Sequence, residues 1–117
     1  MNLITIKERF EFKRSNKFSY KINTPNIIIQ KIESNLVNKV SHFGFTTTKK
    51  IGSAIVRNKI KRKLRAIIRK LLKHHDKYFD LSFNYILICK KEIVKVSYND
   101  LENELMNKFK SNKKKRS

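Results

Sequence analysis

The amino-acid sequence predicts an α+β domain in which helices pack on a β-sheet. Three observations lead to this class. Residues 54–74 carry apolar side chains at helical spacing, "NIIIQKI" is rich in β-branched residues, and "FNYILICKK" is an apolar run of strand length. The chain has 117 residues, which suits one compact domain. We expect residues 1–112 to form that domain.

The first half of the chain predicts one helix followed by two strands. A short helix is expected over residues 5–16, because Thr5 and Glu8 have the spacing of a capping box. A strand is expected in "NTPNIIIQKI", and the polar residues 31–39 are expected to form a hairpin loop. A second long strand is expected in "VSHFGFTTTKK", with Phe43 and Phe45 on one face.

The strongest pattern in the chain predicts a long helix over about 54–74. Gly52 interrupts the chain just before it. The apolar side chains form one stripe at about 100° per residue, which is typical of a helix lying on a core. The stripe consists of Val56, Ile60, Leu64, Ile67, Ile68, Leu71 and Leu72.

The last third predicts a strand, a second helix and a basic tail. The strand lies within "DLSFNYILICK", and Ser97 is placed to cap the helix that follows. The tail 113–117 is expected to be disordered. The apolar face of the last helix is Tyr98, Leu101, Leu105 and Phe109.

The charge balance predicts a polyanionic partner. Lys and Arg number 29 against 9 acids, for a net charge of +20. Because self-repulsion at such a charge weakens the compact state, a nucleic acid is the first candidate and an anionic membrane surface the second. Codon bias would explain scattered lysines in a chain rich in Asn and Ile. It would not explain the clustering of Arg57, Arg62, Arg65 and Arg69.

The polar side of the 54–74 helix concentrates this charge in what we call the basic arc. No acid occurs between Glu33 and Asp76 to offset it. Nucleic-acid phosphates that replace the condensed counterions would offset the repulsion between these cations. The simpler alternative is that this face of the helix is only solvated and binds nothing. The Lys49–Lys50 pair just before the helix favours nucleic acid. The basic arc consists of Arg57, Asn58, Lys59, Lys61, Arg62, Arg65 and Arg69.

The remaining chemistry-bearing residues do not predict a catalytic centre in the protein. Metal-dependent cleavage of a phosphodiester needs clustered carboxylates. Asp100 and Glu104 are interpreted as solvated or dipole-matching acids, and the His74-His75-Asp76 run as a decorated helix end. Cys89, the only cysteine, is interpreted as a buried and inert thiol.

The sequence gives no indication of a membrane protein. No apolar run approaches the ~18 residues of a membrane span, and the first residues carry charges where a signal peptide needs apolar ones. We therefore expect a cytoplasmic protein.

The stretch "TKKIGSAIVRNKIKRKLR" resembles the signature of the bacterial ribonuclease P protein subunit family. The RNR motif of that family corresponds to Arg57-Asn58-Lys59, with lysine at the third place. The segments 49–52 and 61–62, together with Arg65, match as well. The resemblance extends over nearly the whole chain.

This resemblance implies a fold and an activity. The fold is a two-layer α/β sandwich of order αβββαβα with a short first strand, similar to a ribosomal protein domain. Its mixed sheet contains a left-handed βαβ crossover through the basic helix, a rare connection. The family assists the Mg²⁺-dependent removal of the 5′ leader of precursor tRNA. The catalytic RNA carries the chemistry and holds most of the Mg²⁺, so the protein alone is expected to be inactive and to bind no metal tightly.

The resemblance also implies partners and a binding cleft. The partners are the catalytic RNA and precursor tRNA, with no membrane and no obligate protein partner. The runner-up interpretation is a structural RNA-binding protein of ribosomal type, and a DNA-binding module lacks a helix-turn-helix pattern. For Phe10, packing in the core against Ile6 is the alternative to stacking on the leader. The expected leader cleft consists of Phe10, Arg14, Ile28, Thr46, Thr48 and Arg57.

Overall fold

A four-stranded sheet and two long helices make up the part of the chain that the structure describes. The structure is a computed structural model, and it describes residues 19–33, 43–79 and 83–116. The predicted helix over 5–16 lies outside these ranges. The elements are β1 (Ser19–Asn23), β2 (Ile27–Glu33), β3 (Phe43–Thr46), the basic helix (Ala54–His74), β4 (Phe83–Cys89) and the C-terminal helix (Tyr98–Arg116).

The sheet is mixed, with strand order β1-β2-β4-β3. β1 with β2, and β2 with β4, pair antiparallel, whereas β3 pairs parallel with β4. The basic helix lies between β3 and β4 in sequence and makes the crossover that a parallel pair requires. The α+β class is thereby confirmed, and the left-handedness of this crossover stays a prediction.

Both helices pack on one face of the sheet. In the basic helix, Leu64, Ile67 and Ile68 have no exposed surface, and they join one core with Ile29 and Leu87 of the central strands. Each apolar side chain of this size contributes about 1.5–3 kcal/mol when it is fully buried. The predicted apolar stripe is confirmed, except that Val56 at its start is half-buried.

An aromatic cluster closes the core where the basic helix ends. The helix stops at His74, and the segment 75–79 folds back so that Phe79 is buried. The ring of Phe79 lies 4.5 Å from that of Phe109 in the C-terminal helix, and Phe43 stacks on Tyr85 at 5.4 Å. Aromatic pairs at these distances add about 0.5–1.5 kcal/mol each beyond their burial.

The predicted loop over 31–39 is wrong at its start, because β2 continues to Glu33. Lys31 is only 3% exposed, and its ammonium lies 4.5 Å from the centroid of the Phe83 ring. Ile32 is also buried. From the sequence alone, a lysine is expected at the surface, and the aromatic ring that accommodates Lys31 is distant in sequence. The end of β2 was therefore interpreted as part of a loop.

Two further boundaries differ from the sequence-based predictions. β3 is short, ending at Thr46, because the chain enters a turn in which the Ile51 amide donates to the Thr48 carbonyl at 3.0 Å. The C-terminal helix continues to Arg116, into the segment 113–117 that we expected to be disordered.

The turn between β1 and β2 is fastened to the C-terminal helix by Glu104. One carboxylate oxygen accepts from the Thr24 hydroxyl at 2.6 Å, and the other accepts from the Asn26 side-chain amide at 2.7 Å. Glu104 is therefore a structural residue, and its interpretation as a solvated or dipole-matching acid is wrong. The spacing of acids along one helix carries no information on partners that are distant in sequence.

Candidate nucleic-acid interface

An exposed lysine pair precedes the basic helix on a tight turn. Lys49 and Lys50 are both exposed, whereas the next residue, Ile51, is 7% exposed and belongs to the core. Because Ile51 is anchored and its amide is bonded to Thr48, the turn holds both ammonium groups at the surface.

The start of the basic helix depends on Gly52 and Ser53. Gly52 has φ +151°, a region that residues with a side chain rarely adopt, and a Cβ there would lie 3.2 Å from the Val56 side chain. Ser53 caps the helix, since its hydroxyl accepts from the Val56 amide at 3.4 Å. These two residues set the direction in which the helix leaves the turn.

The basic arc has an exposed crest and a half-buried flank. Arg57, Lys61 and Arg65 lie four residues apart and are half-buried. The guanidinium carbon of Arg65 is 5.9 Å from the ring centroid of Phe45 on β3, so this flank faces the sheet edge. The crest consists of the exposed residues Asn58, Lys59, Arg62 and Arg69.

Within the described ranges, no acid lies at ion-pair distance from the basic arc. Glu102 instead forms an ion pair with Lys70, at 3.0 Å, on the opposite flank of the helix. Hydrogen bonding to Glu102 and its negative charge raise the pKa of Lys70. On the same flank, the Lys63 ammonium donates to the Val96 carbonyl at 3.4 Å. In the described part of the chain, the ion-pair and hydrogen-bond partners of this helix's lysines therefore lie on the flank facing the C-terminal helix and not along the arc.

Two buried polar atoms flank the turn that leads into the basic helix, one just after β3 and one in the first turn of the helix. Thr47 Oγ1 and Arg57 Nε have no hydrogen-bond partner. Buried polar atoms are normally satisfied, so each is an exception among the described residues. This part of the protein keeps unused hydrogen-bonding capacity.

The sheet face opposite the helices brings two of the expected cleft residues close together. Ile28 on β2 and Thr46 on β3 both pair with Ile88 on the central strand β4. Residues directly opposite each other in a sheet point to the same face, so the three side chains form one row. All three are half-buried. Sequence reasoning missed Ile88, although the alternation along β4 could have indicated it.

The other expected cleft residues are placed only in part. Thr48 is exposed just beyond β3, and Arg57 lies in the first turns of the basic helix. Phe10 and Arg14 lie outside the described residues, so their packing or stacking is untested.

The described residues offer no cluster of metal ligands. They contain no group of three or more His, Cys, Asp and Glu side chains able to hold an ion. The His75 ring stacks on Tyr78 at 5.2 Å, and its backbone amide closes the helix by donating to the Leu71 carbonyl. Cys89 is buried, and desolvation raises the pKa of its thiol to about 12 although the charge of Lys61 acts in the opposite direction.

Neither long helix could cross a bilayer. Over the part of the chain that is described, no helix is both long enough and sufficiently apolar for that.

Comparison with known proteins identifies the family. The ribonuclease P family profile matches residues 2–113. A Finegoldia magna ribonuclease P protein component is 41% identical over 68 residues, covering 58% of this chain and 57% of that protein. The Mycoplasma mycoides component is 30% identical over 105 residues, covering 90% and 92% of the two chains.

A solved structure supports the same conclusion at the level of the fold. A Staphylococcus aureus RNase P protein mutant superposes with a TM-score of 0.77 at 23% identity, covering 93% of this chain and 87% of the other. The family match decides against an unrelated ribosomal-type protein. From the residues matched by its profile and the relatives it aligns with, the chain belongs to the ribonuclease P protein family.

Proposed function

We propose that this chain, as a ribonuclease P protein component, binds the catalytic RNA of that enzyme through the basic arc and Lys49–Lys50. The observation that carries the proposal is the acid-free arc, since within the described ranges its cations have no internal ion-pair partner. RNA phosphates that displace condensed counterions from such a surface release them into solution, which drives binding. Half-buried Arg57, Lys61 and Arg65 are restrained by the protein and lose less side-chain freedom on binding than crest residues do.

We further propose that the opposite sheet face receives the 5′ leader of precursor tRNA. The row formed by Ile28, Ile88 and Thr46 offers two apolar side chains and one hydroxyl on a half-buried surface. Unpaired nucleotides suit such a surface, because their bases have apolar faces and their riboses carry hydroxyl groups. Phe10 and Arg14 would add an aromatic and a guanidinium face for stacking.

In this proposal the RNA, and not the protein, carries the chemistry. Mg²⁺ would be held mainly by the RNA, since the described residues lack the clustered carboxylates by which proteins hold catalytic metal ions. Purified protein free of RNA should leave precursor tRNA intact in Mg²⁺. Reconstitution of the protein with the catalytic RNA should restore leader removal at low Mg²⁺, with no other protein required. The proposal also places the enzyme in the cytoplasm.

The role of the basic arc is tested by the salt dependence of binding to the catalytic RNA. If about six phosphates are contacted, log K should fall against log salt with a slope of about −4 to −5. The Arg62→Ala/Arg65→Ala variant should flatten that slope by about one to two units. Lys91→Ala, which removes an exposed cation outside the basic helix, is the matched control and should keep the wild-type slope. An unchanged slope in the double variant would place the RNA elsewhere.

The leader site is tested by comparing precursor and mature tRNA. Phe10→Ala in the reconstituted enzyme should weaken precursor binding by ~1–3 kcal/mol, because one stacked base is lost. Mature tRNA has no leader, and its affinity should hardly change. Equal weakening of binding for both tRNAs, together with a lower melting temperature of the protein, would indicate that Phe10 packs in the core and does not contact the leader.

A further inference from the structure

Ile55 is the most exposed of the large apolar side chains in the described residues. It is 76% exposed in the first turn of the basic helix, against 60% for Tyr20 and 46% for Val94. A β-branched residue in a helix loses side-chain freedom, and here no burial within the protein compensates for that loss. A single exposed aliphatic residue is ordinary on a protein surface. The position of Ile55 is what makes it informative.

Ile55 lies within the crest of the basic arc. Asn58, Lys59 and Arg62 follow it by three, four and seven residues, so they share its side of the helix, and all of them are exposed. The first turn of the helix contains no acid. Any polyanion held by these residues would therefore cover the side chain of Ile55.

We propose that Ile55 is an apolar contact within the RNA interface, packing on the base or ribose of an unpaired nucleotide of the catalytic RNA. This inference rests on the function proposed above. Cations alone attract any polyanion with little regard to its shape. Unpaired nucleotides in loops and bulges expose base faces that an aliphatic side chain can remove from water. Ile55 would thus favour RNA with a splayed nucleotide at this point over uniform duplex.

The test separates apolar from ionic contributions by titrating binding to ribonuclease P RNA over a range of salt concentrations. Ile55→Ala should weaken binding by about ten-fold at every salt concentration, since part of an aliphatic side chain is no longer buried. The slope against log salt should be unchanged, because no phosphate contact is lost. Ile55→Val should lose only about two- to four-fold. Val94→Ala, an exposed aliphatic site outside the helix, should bind like wild type.

The outcomes distinguish this inference from the proposed function. The Ile55 variants should not melt below the wild-type temperature, because Ile55 is mostly exposed and alanine is the better helix former. A lower melting temperature for Ile55→Ala would assign it a structural role and overturn the inference. If Arg62→Ala flattens the slope while Ile55→Ala binds like wild type, only the apolar contact is overturned. If Arg62→Ala also keeps the wild-type slope, the arc does not contact the RNA and both proposals fall.

Discussion

The guanidinium of Arg65 lies over the ring of Phe45, with 5.9 Å between its central carbon and the ring centroid. The contact joins the basic helix to β3, which is an edge strand of the sheet. Arg65 therefore has a partner within the protein, and this partner is an aromatic ring and not an acid. A cation–π contact restrains the guanidinium without neutralising its charge, so Arg65 stays available to a phosphate.

We predict that Phe45 and Arg65 are energetically coupled. A double-mutant cycle with Phe45→Leu and Arg65→Ala should give about 0.5–1 kcal/mol of coupling in the free energy of unfolding, measured with urea. Arg69 follows Arg65 by four residues on the same helix but is exposed, so the cycle of Phe45→Leu with Arg69→Ala should be additive. Coupling of the same size in both cycles would show that Phe45 acts on the helix as a whole.

Glu104 should be among the acids on which the stability of the domain depends most. Glu104→Ala leaves Thr24 and Asn26 without their carboxylate partner, and we expect a loss of about 2 kcal/mol in the free energy of unfolding. Glu104→Gln, which keeps the shape but not the charge, should lose about half as much. The adjacent exposed residue provides the control, since Asn103→Ala should change stability by less than about 0.5 kcal/mol. Similar losses at both positions would refute the structural role of Glu104.

Gly52 should resist replacement for two separable reasons. Gly52→Ala should cost about 1–3 kcal/mol, from the backbone conformation at φ +151° and from the 3.2 Å approach to Val56. In a Val56→Ala background the contact with Val56 Cγ1 is removed, so the cost of Gly52→Ala should fall, whereas the contact with Cβ and the backbone cost remain. Chemical denaturation of the four proteins measures the contribution of the Cγ1 contact. A neutral Gly52→Ala substitution would contradict the conformation described.

The Cys89 thiol should stay protonated and unreactive in the folded protein at pH 8. Its pKa is raised from 9.0 to about 12 by desolvation, so the unfolded chain releases this proton at lower pH than the folded one. The resulting stability is fully present below pH 9.0 and is lost as the pH rises towards about 12. Labelling by a thiol reagent should therefore follow unfolding, and Cys89→Ala should show a shallower loss of stability over this window. Rapid labelling of the folded protein would contradict the buried position.

Helix positions and buried faces were predictable from the sequence, because their signals are local and repeat. The stripe from Ile60 to Leu72 and the Ser97 cap, whose hydroxyl accepts from the Asp100 amide at 3.2 Å, follow from spacing alone. β1 was not found from its residues, because "SYKIN" is short, lies at a sheet edge and alternates only weakly. The family resemblance, and not the pattern, indicated that a short first strand exists.

Contacts between segments far apart in sequence were the part that the sequence could not supply. The Lys31 ammonium lies over the ring of Phe83, and Glu104 is bonded to Thr24 in the turn between β1 and β2. In both cases the partner is far away in the sequence, so the residues surrounding Lys31 or Glu104 do not indicate it. The candidate site shows the same division, since the arc is readable from one helix, whereas the row through Ile88 needs the pairing of three strands.

The bond between Thr24 and Glu104 has a consequence for how the protein is made. Eighty positions separate the two residues. A ribosome that adds about 5–20 residues per second therefore supplies Glu104 roughly 4–16 s after Thr24. Until then the end of the sheet lacks its fastening, and the basic helix is present before the C-terminal helix that packs beside it. The cations of the basic arc are therefore synthesised before the residue that fastens the end of the sheet.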